Sequence, residues 1–528
     1  MKKHLTRVIV IAFFLIVCWA ALPLFGKNYI PTHDGEYHII RIVEFAKMLG
    51  AGYIVPRWAP DMNSGYGIPI FNYHYPLPDY IGSLVRVFTH DAVSAFQISM
   101  GMGYITLAGA AFLWLFALFG ALPACVGASL TAFVPYLFVD AYVRGSIGEV
   151  WATAFLFLCL YLLEKKRFPL FALSFGFLIL SHNILAMLYT PFILGYILIR
   201  DKKAALWMLA GIGASAFFWV PALLESKYVV GLNTVNFRQY FVSLYDLLIP
   251  SWGTGFSGSA LGNSMSVQIG IAPTLVIIAA AWVNLRKKRP QGALLWYCTA
   301  VAALAVVFML PISIPLWEFI TPLQLMQYPW RLLSLVIPVA GFCAAFWVST
   351  MKKKQWGLVL AVLAVALAAS YARPVQYAPR NEAYYMSRQN FTDGTSSMGN
   401  SFSTVWTGWK DVRADSYITT TGGTVSATLS DRYLDHQVRI TMASAAYVTA
   451  HTIYFPGWVA SVDGRPSAIT YAQDGVIHVT VPQGEHVLRI QFIDTPVRRM
   501  ADWVSILSLA ILAIFGYTWN TKKTDGKQ

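Results

Sequence analysis

Long apolar runs dominate the chain, and polar residues are confined between them. Stretches of about 15 to 25 apolar residues, near the length a helix needs to cross hydrocarbon, recur from Val8 to Phe25, across most of Val93 to Tyr371, and again from Trp503 to Trp519. Each run predicts a membrane helix. The first is followed by no small-residue cleavage site, so it reads as a retained helix rather than a signal peptide. From Ala372 to about Val497 the period changes to two: "VIHVTV" (Val476 to Val481) and "VLRIQF" (Val487 to Phe492) alternate apolar and polar around the turn "PQGEH", and Asp463-Gly464 signals a hairpin. The pattern predicts an α-helical polytopic membrane domain over 1–371, with its first outer loop at 26–92. A β-sandwich-like domain over 372–500 and a last helix with its tail over 501–528 follow.

Composition agrees. A 528-residue chain that is 57% hydrophobic and 12% charged, with mean hydropathy +0.55, is too apolar for an ordinary soluble protein. The formal charge of +14 does not point to nucleic acid, because the basic residues form short clusters between apolar runs. They are Lys2, Lys3 and Arg7; Lys165 to Arg167; Arg200, Lys202 and Lys203; Arg286 to Arg289; Lys352 to Lys354; and Lys522, Lys523 and Lys527. By the positive-inside rule all of these are cytoplasmic. That predicts about twelve spanning helices in the cytoplasmic membrane with both termini inside, and it puts the segment after helix one and the β-domain outside. The five cysteines all fall in apolar runs, with neither disulfide nor zinc spacing.

Given this topology, the polar motifs collect on the outer face. "PTHDGEYH" (Pro31 to His38) follows helix one and leads into a stretch with Ile39, Ile42 and Val43 on one face and His38, Arg41 and Glu44 on another, the pattern of an interfacial helix. "VPRWAPDMNSGYGIPIFNYHYPLP", with Arg57, is dense in Pro, Gly and aromatics and needs protein packing at membrane depth. Leu77 to Phe88 is placed in the outer interface. "VRGSIGE" carries Arg144 and Glu149, "SHN" carries His182 and Asn183, "PSWGTGF" carries Trp252, and "QYPWR" carries Arg331. Ionisable residues at membrane depth are expensive and mark a functional site by default.

Each also has a structural reading. Asp34 stands where a helix N-cap belongs, Glu36 suits a helix dipole, and Arg144 with Glu149 makes an ion pair. His182 reads as a hydrogen-bonded core histidine, and Arg331 as a snorkelling anchor. His33, Asp34, Glu36 and His38 are also candidate ligands for a divalent ion, although their spacing matches no catalytic metal motif.

"THDGEYH", "PRWAPDMNSGYGIPIFNYHYPLPDYI", "YVRGSIGE", "SHN" and "QYPWRLL" resemble the multi-pass bacterial and archaeal membrane family labelled 6-pyruvoyl-tetrahydropterin-synthase-related. The end "YFPGWVASVDGRP" to "VLRIQF" resembles the external β-domain of those proteins and of related lipid-linked glycosylation proteins. The three-histidine zinc site of the soluble pterin synthases has no counterpart here. The membrane architecture is similar to GT-C glycosyltransferases, which take a sugar from a polyprenyl-phosphate donor and place it on an acceptor at the outer face. The resemblance implies that Asp34, with Glu36 as the nearest alternative, is the catalytic carboxylate of the first outer loop. The remaining roles follow from location. Arg331, Arg144 and Arg57 are candidates for holding the leaving phosphate, and Glu149, His182, Asn183, Trp252 and His38 for holding sugar or acceptor. A flippase for a lipid-linked substrate would instead carry charges at the bilayer midplane and broken helices in related halves. A noncatalytic scaffold would lack a cavity at Asp34.

Overall fold

The computed structural model describes the chain except residues 1, 232–234, 258–262, 287–290, 387–400, 408–409, 411 and 526–528; the basic residues Lys287, Lys288, Arg289 and Lys527 therefore lie outside the described residues. Among the described residues, eight helices are long and apolar enough to cross a membrane. Two bent pairs, Ala121–Ala132 with Pro135–Arg144 (49°) and Ala204–Ala214 with Ala216–Leu224 (69°), raise this to ten if each pair is one span. The expected twelve is reached only if the shorter apolar helices Phe168–Ser181 and Ile271–Arg286 cross as well. The first bend has a local cause. Pro135 cannot donate the next helical hydrogen bond, and one turn earlier Thr131 bonds back to the Gly127 carbonyl at 3.0 Å.

Two of the eight unbent spans lie deep in the bundle. Pro329–Thr350 is 89% buried and Ile147–Glu164 78%, against 17% for Pro496–Gly516. A helix apolar all round belongs inside, and these two carry Arg331 and Glu149 at their amino-terminal ends. Close packing depends on small residues: a Cβ at Gly341 would sit 2.0 Å from Thr131 Oγ1, and one at Gly127 would sit 2.5 Å from the Gly341 carbonyl oxygen.

The segment after helix one departs from the expected interfacial arrangement. Gly35–Gly50 is helical, but both of its faces are buried, Ile39 and Ile42 on one side and His38, Arg41 and Glu44 on the other. The polar face turns into the protein because the rest of the loop folds over it: Arg41 donates to His74, and Glu44 accepts from Lys47 and from the Asp61 amide. Leu77–Thr89 suits an interface better, with Leu84, Val87 and Phe88 exposed while Asp79 and Ser83 are buried.

The loop is fixed to the bundle through backbone. His33 and Asp34 donate their amides to the carbonyls of Val143 and Arg144 at 2.9 and 2.8 Å. This approach requires Gly145, whose φ is +70° and whose Cβ would lie 2.2 Å from Thr32 Oγ1. Gly145→Ala is expected to cost about 1–2 kcal/mol from the left-handed backbone alone, and more from the clash. The variant should melt below the wild type, and proteolysis of the first loop should accelerate.

The strands are β1 (Ile418–Thr420), β2 (Gly423–Arg432), β3 (Asp435–Met442), β4 (Ala446–Ile453), β5 (Trp458–Val462), β6 (Arg465–Ser467), β7 (Ile469–Thr470), β8 (Val476–Val481) and β9 (Gly484–Phe492). They form two sheets, ordered β1-β4-β8-β7 and β2-β3-β9-β5-β6, all antiparallel. The core joins Val448, Ala450, Ile477 and Val479 of one sheet with Val438, Ile440, Leu488 and Ile490 of the other. Asp463 and Gly464, at φ +52° and +77°, close the β5–β6 hairpin. "VIHVTV" and "VLRIQF" are both strands, yet they join different sheets, so the short connection at Pro482 and Gln483 crosses the sandwich instead of making a hairpin. A last helix, Pro496–Asp525, returns to the bundle.

Candidate functional site

At the end of the bundle that carries the first loop lies a cavity of about 560 Å³, and its walls include Asp34, His38, Arg144, His182, Asn183 and Arg331. These residues, scattered over 300 positions of sequence, share the cavity because each sits at a helix end or in a turn. Asp34 opens the Gly35–Gly50 helix, Arg144 ends a single π-helical turn, Asp140–Arg144, and His182 separates two helices. Arg331 lies in the tight turn Pro329–Leu332.

Glu149 stands behind the wall and organises it. Its Oε1 accepts from Arg144 Nη2 at 2.7 Å and from Arg331 Nε at 3.2 Å, and its Oε2 accepts from the Tyr136 hydroxyl at 3.1 Å. Arg144 also pairs with Asp140 and lies 4.8 Å over the Trp330 ring. Two guanidinium groups thus meet two carboxylates, the matching that buried charge requires. Arg331 Nη1 is held by the Met326 carbonyl and by Gln327 Oε1, at 2.8 and 3.0 Å. Among the described residues its Nη2 makes no hydrogen bond, and Arg331 lines the cavity. Gln327 holds φ +65°, a strained backbone for a residue with a Cβ, where its side chain orients Arg331.

His182 is hydrogen-bonded as its structural reading expects, and it also lines the cavity. Nδ1 accepts the Leu185 amide and caps the following helix, which leaves the proton on Nε2, 4.0 Å from Glu149 Oε1. Asp34 does not cap: its side chain makes no cap hydrogen bond, and among the described residues no hydrogen bond or ion pair holds its carboxylate elsewhere. His33 donates Nε2 to the Thr254 carbonyl and stacks on Phe256. His38 stacks on Phe96 with rings 5.8 Å apart.

Three expected site residues lie elsewhere. Glu36 faces Arg380, an ion pair between the first loop and the segment before the β-sheets. Arg57 is buried against the last helix, donating to Asp502 at 3.2 Å and to the Phe217 carbonyl at 2.9 Å; its charge is consumed in holding the loop in place. Trp252 stacks on Tyr371, ring centres 4.6 Å apart. Of the candidate metal set, His33, Asp34 and His38 line the cavity and Glu36 does not, and among the described residues no three His, Cys, Asp or Glu side chains group to hold a metal.

Several residues beside the cavity or its ion cluster are not among the candidates that the sequence offers. Asp140 was readable, four positions before Arg144 in "DAYVR". His74 and Tyr75 lie in the "NYHY" of the aromatic loop, and only the folding of that loop brings His74 Nε2 within 2.7 Å of Arg41 Nη1. Behind His74, Asp79 Oδ2 lies 3.4 Å from Nδ1. Burial pushes the Asp79 carboxyl up from 3.8 to about 7, against the pull of Arg41, and its oxygens have no hydrogen bond. Because the folded value exceeds the unfolded one, this group's contribution to stability is complete below pH 3.8 and is lost as pH rises through about 7. Asp79→Asn should flatten that slope, and above pH 8 should melt higher than the wild type.

Residues 71–378 match the family described as "6-pyruvoyl-tetrahydropterin synthase related domain; membrane protein". An "Uncharacterized protein" of Lactococcus lactis subsp. cremoris (strain MG1363) is 22% identical over 350 residues, 59% of this chain and 55% of its own length, so the chain spans about half of that relative. Among solved structures, ArnT from Cupriavidus metallidurans bound to undecaprenyl phosphate is similar at TM-score 0.42 and 14% identity, over 70% of this chain and 64% of that one. The arabinofuranosyltransferase AftD from Mycobacteria is similar at 0.40 and 14%, over 70% and 27%. The Archaeoglobus fulgidus oligosaccharyltransferase in its apo form is similar at 0.39 and 13%, over 76% and 57%. With more than half of its residues matched, the chain belongs to the 6-pyruvoyl-tetrahydropterin synthase-related family of membrane proteins.

Proposed function

We propose that the protein is an inverting glycosyltransferase of GT-C type, moving a sugar from a polyprenyl-phosphate-linked donor to an acceptor at the outer face of the cytoplasmic membrane, with both termini inside. The observation that carries this reading is one cavity, about 560 Å³, walled by both the uncapped carboxylate of Asp34 and the guanidinium of Arg331.

Asp34 takes the proton from an acceptor hydroxyl as that oxygen bonds to the anomeric carbon. The bond from the anomeric carbon to the phosphate oxygen breaks on the opposite side, which inverts the configuration, and its electron pair leaves on polyprenyl phosphate. Arg331, with Nη2 left for the cavity, takes the phosphate charge. Arg144 and Glu149 fix Arg331 in place, and His182 and Asn183 offer hydrogen bonds to the sugar. The charged groups gather at one end of the bundle rather than at mid-helix, which favours transfer over transport.

The test is transfer by the purified full chain in lipid nanodiscs, supplied with labelled polyprenyl-phosphate sugars and with lipid and glycan acceptors from the cell envelope. Label moving to an acceptor supports the reading. Donor bound in the cavity but never consumed, whichever sugar and acceptor are supplied, would overturn it.

A further inference from the structure

His38 and Tyr75 line the cavity, and among the described residues neither side chain makes a hydrogen bond. His38 is only 2% exposed, and its Nδ1 is enclosed without a partner. The ring is fixed all the same, stacked on Phe96 with planes 8° apart. Tyr75 packs against His74 at 4.0 Å and against His182 at 4.7 Å between ring centres. Gly148 makes the room for it: a Cβ there would lie 2.4 Å from Tyr75 Cε2 and 2.7 Å from Cζ, the carbon that bears the hydroxyl.

Burial holds the His38 imidazole below its ordinary value and the Tyr75 hydroxyl above its own, so both groups are uncharged. A neutral imidazole and a phenol each donate one hydrogen bond and accept as well, which is also the character of a sugar hydroxyl. Held from bulk water with no bond in return, each is a cost that a bound hydroxyl repays. Their place suits the proposed chemistry. His38 lies one helical turn beyond Asp34, whose carbonyl accepts its amide at 3.2 Å. Tyr75 links it to the ion cluster: its ring centre is 6.4 Å from that of His38, and its other neighbour His182 has Nε2 4.0 Å from Glu149 Oε1. The row His38, Tyr75, His182 thus leads from the Asp34 helix to the Arg144–Arg331 cluster.

We propose that His38 and Tyr75 form a hydroxyl-binding subsite for a sugar residue of the acceptor, on the Asp34 side of that row. The words donor and acceptor rest on the transferase reading; the subsite itself rests on His38, Tyr75 and their cavity. Two hydroxyl partners besides the base call for a ligand with at least two hydroxyls in addition to the one that reacts. A glycan or a glycolipid headgroup has them, whereas a serine or threonine side chain brings only the reacting one.

Binding is read by saturation-transfer NMR on the purified full chain in neutral-lipid nanodiscs. The soluble probes are the methyl glycosides of glucose, galactose, mannose and N-acetylglucosamine, with cyclohexylmethanol as a ring of the same size bearing a single hydroxyl; undecaprenyl phosphate is the lipid probe. At least one glycoside should bind about tenfold or more tightly than cyclohexylmethanol, because a site built for hydroxyls rejects the analogue that lacks them. Saturating undecaprenyl phosphate should leave that affinity within about twofold. Tyr75→Phe and His38→Phe should each weaken the glycoside by about tenfold and leave undecaprenyl phosphate within about twofold, and His38→Gln should recover part of the loss. Since Tyr75→Phe and His38→Phe delete polar groups with no protein partner, both should melt at or above the wild type.

Unchanged glycoside binding in either phenylalanine variant would overturn the subsite, and so would a panel in which no glycoside binds. Displacement of the glycoside by undecaprenyl phosphate in the wild type would overturn it without any variant having to fold. If undecaprenyl phosphate fails to bind while the glycoside binding that needs Tyr75 stands, the donor reading falls and the subsite survives.

Discussion

Glu149→Gln is expected to destabilise the protein by about 3–5 kcal/mol, the cost of removing one partner from a buried charge network. The side chain is out of water and accepts from Arg144 Nη2, Arg331 Nε and the Tyr136 hydroxyl. Glutamine keeps the shape and one acceptor oxygen but not the charge, which leaves two guanidinium groups facing Asp140 alone. It also puts an amide N–H₂ where one of the donors had been received. The helices joined by Glu149 are the most deeply buried of the eight unbent spans, so the defect falls inside the bundle. Thermal unfolding in detergent, with folded yield as a second readout, checks this. A variant as stable as the wild type would mean that the ion cluster is open to water and that Arg331 is not fixed by Glu149.

Asp34→Asn should lower turnover by about 10²–10⁴-fold, the usual contribution of a positioned general base, with little change in stability. Asparagine is nearly isosteric, and among the described residues the Asp34 carboxylate has no cap bond or ion pair to lose. The backbone bond from the Asp34 amide to the Arg144 carbonyl, which positions the residue, is kept. The loss should fall on kcat with donor KM nearly unchanged, because the base acts on the acceptor in the transition state. Glu36→Gln is the control. Its carboxylate pairs with Arg380 and does not line the cavity, so turnover should fall less than about tenfold. Equal losses in the two variants would remove the special standing of Asp34.

The helices were legible because burial in lipid or in a bundle demands uninterrupted apolar runs, and the strands because a half-buried sheet demands alternation. Strand pairing was less so. "VIHVTV" and "VLRIQF" look like one hairpin, and only the core contacts of two facing sheets decide that the chain crosses between them. Site residues followed the same division. Arg144, His182 and Arg331 stood out as isolated charge or imidazole in apolar surroundings, and the fold gathers them at one cavity. Arg57 and Glu36 gave the same local signal, yet their partners, Asp502 and Arg380, lie more than 340 positions away in sequence. Nothing near them in the chain distinguishes a fastening charge from a binding one. Arg41 was hidden for the opposite reason: among charged neighbours on an amphipathic helix it reads as solvated surface, and the loop that buries it returns through His74.

In the proposed transferase, one cavity receives the lipid phosphate beside the Asp34 carboxylate. An electron cryomicroscopy structure of the full chain with bound undecaprenyl phosphate measures this directly. Phosphate oxygens should lie within about 3.2 Å of an Arg331 nitrogen, in the same cavity that Asp34 lines, with the prenyl chain leaving toward lipid. Phosphate density at Arg57 or at the basic clusters between the apolar runs, with the Asp34 cavity empty of lipid, would contradict this.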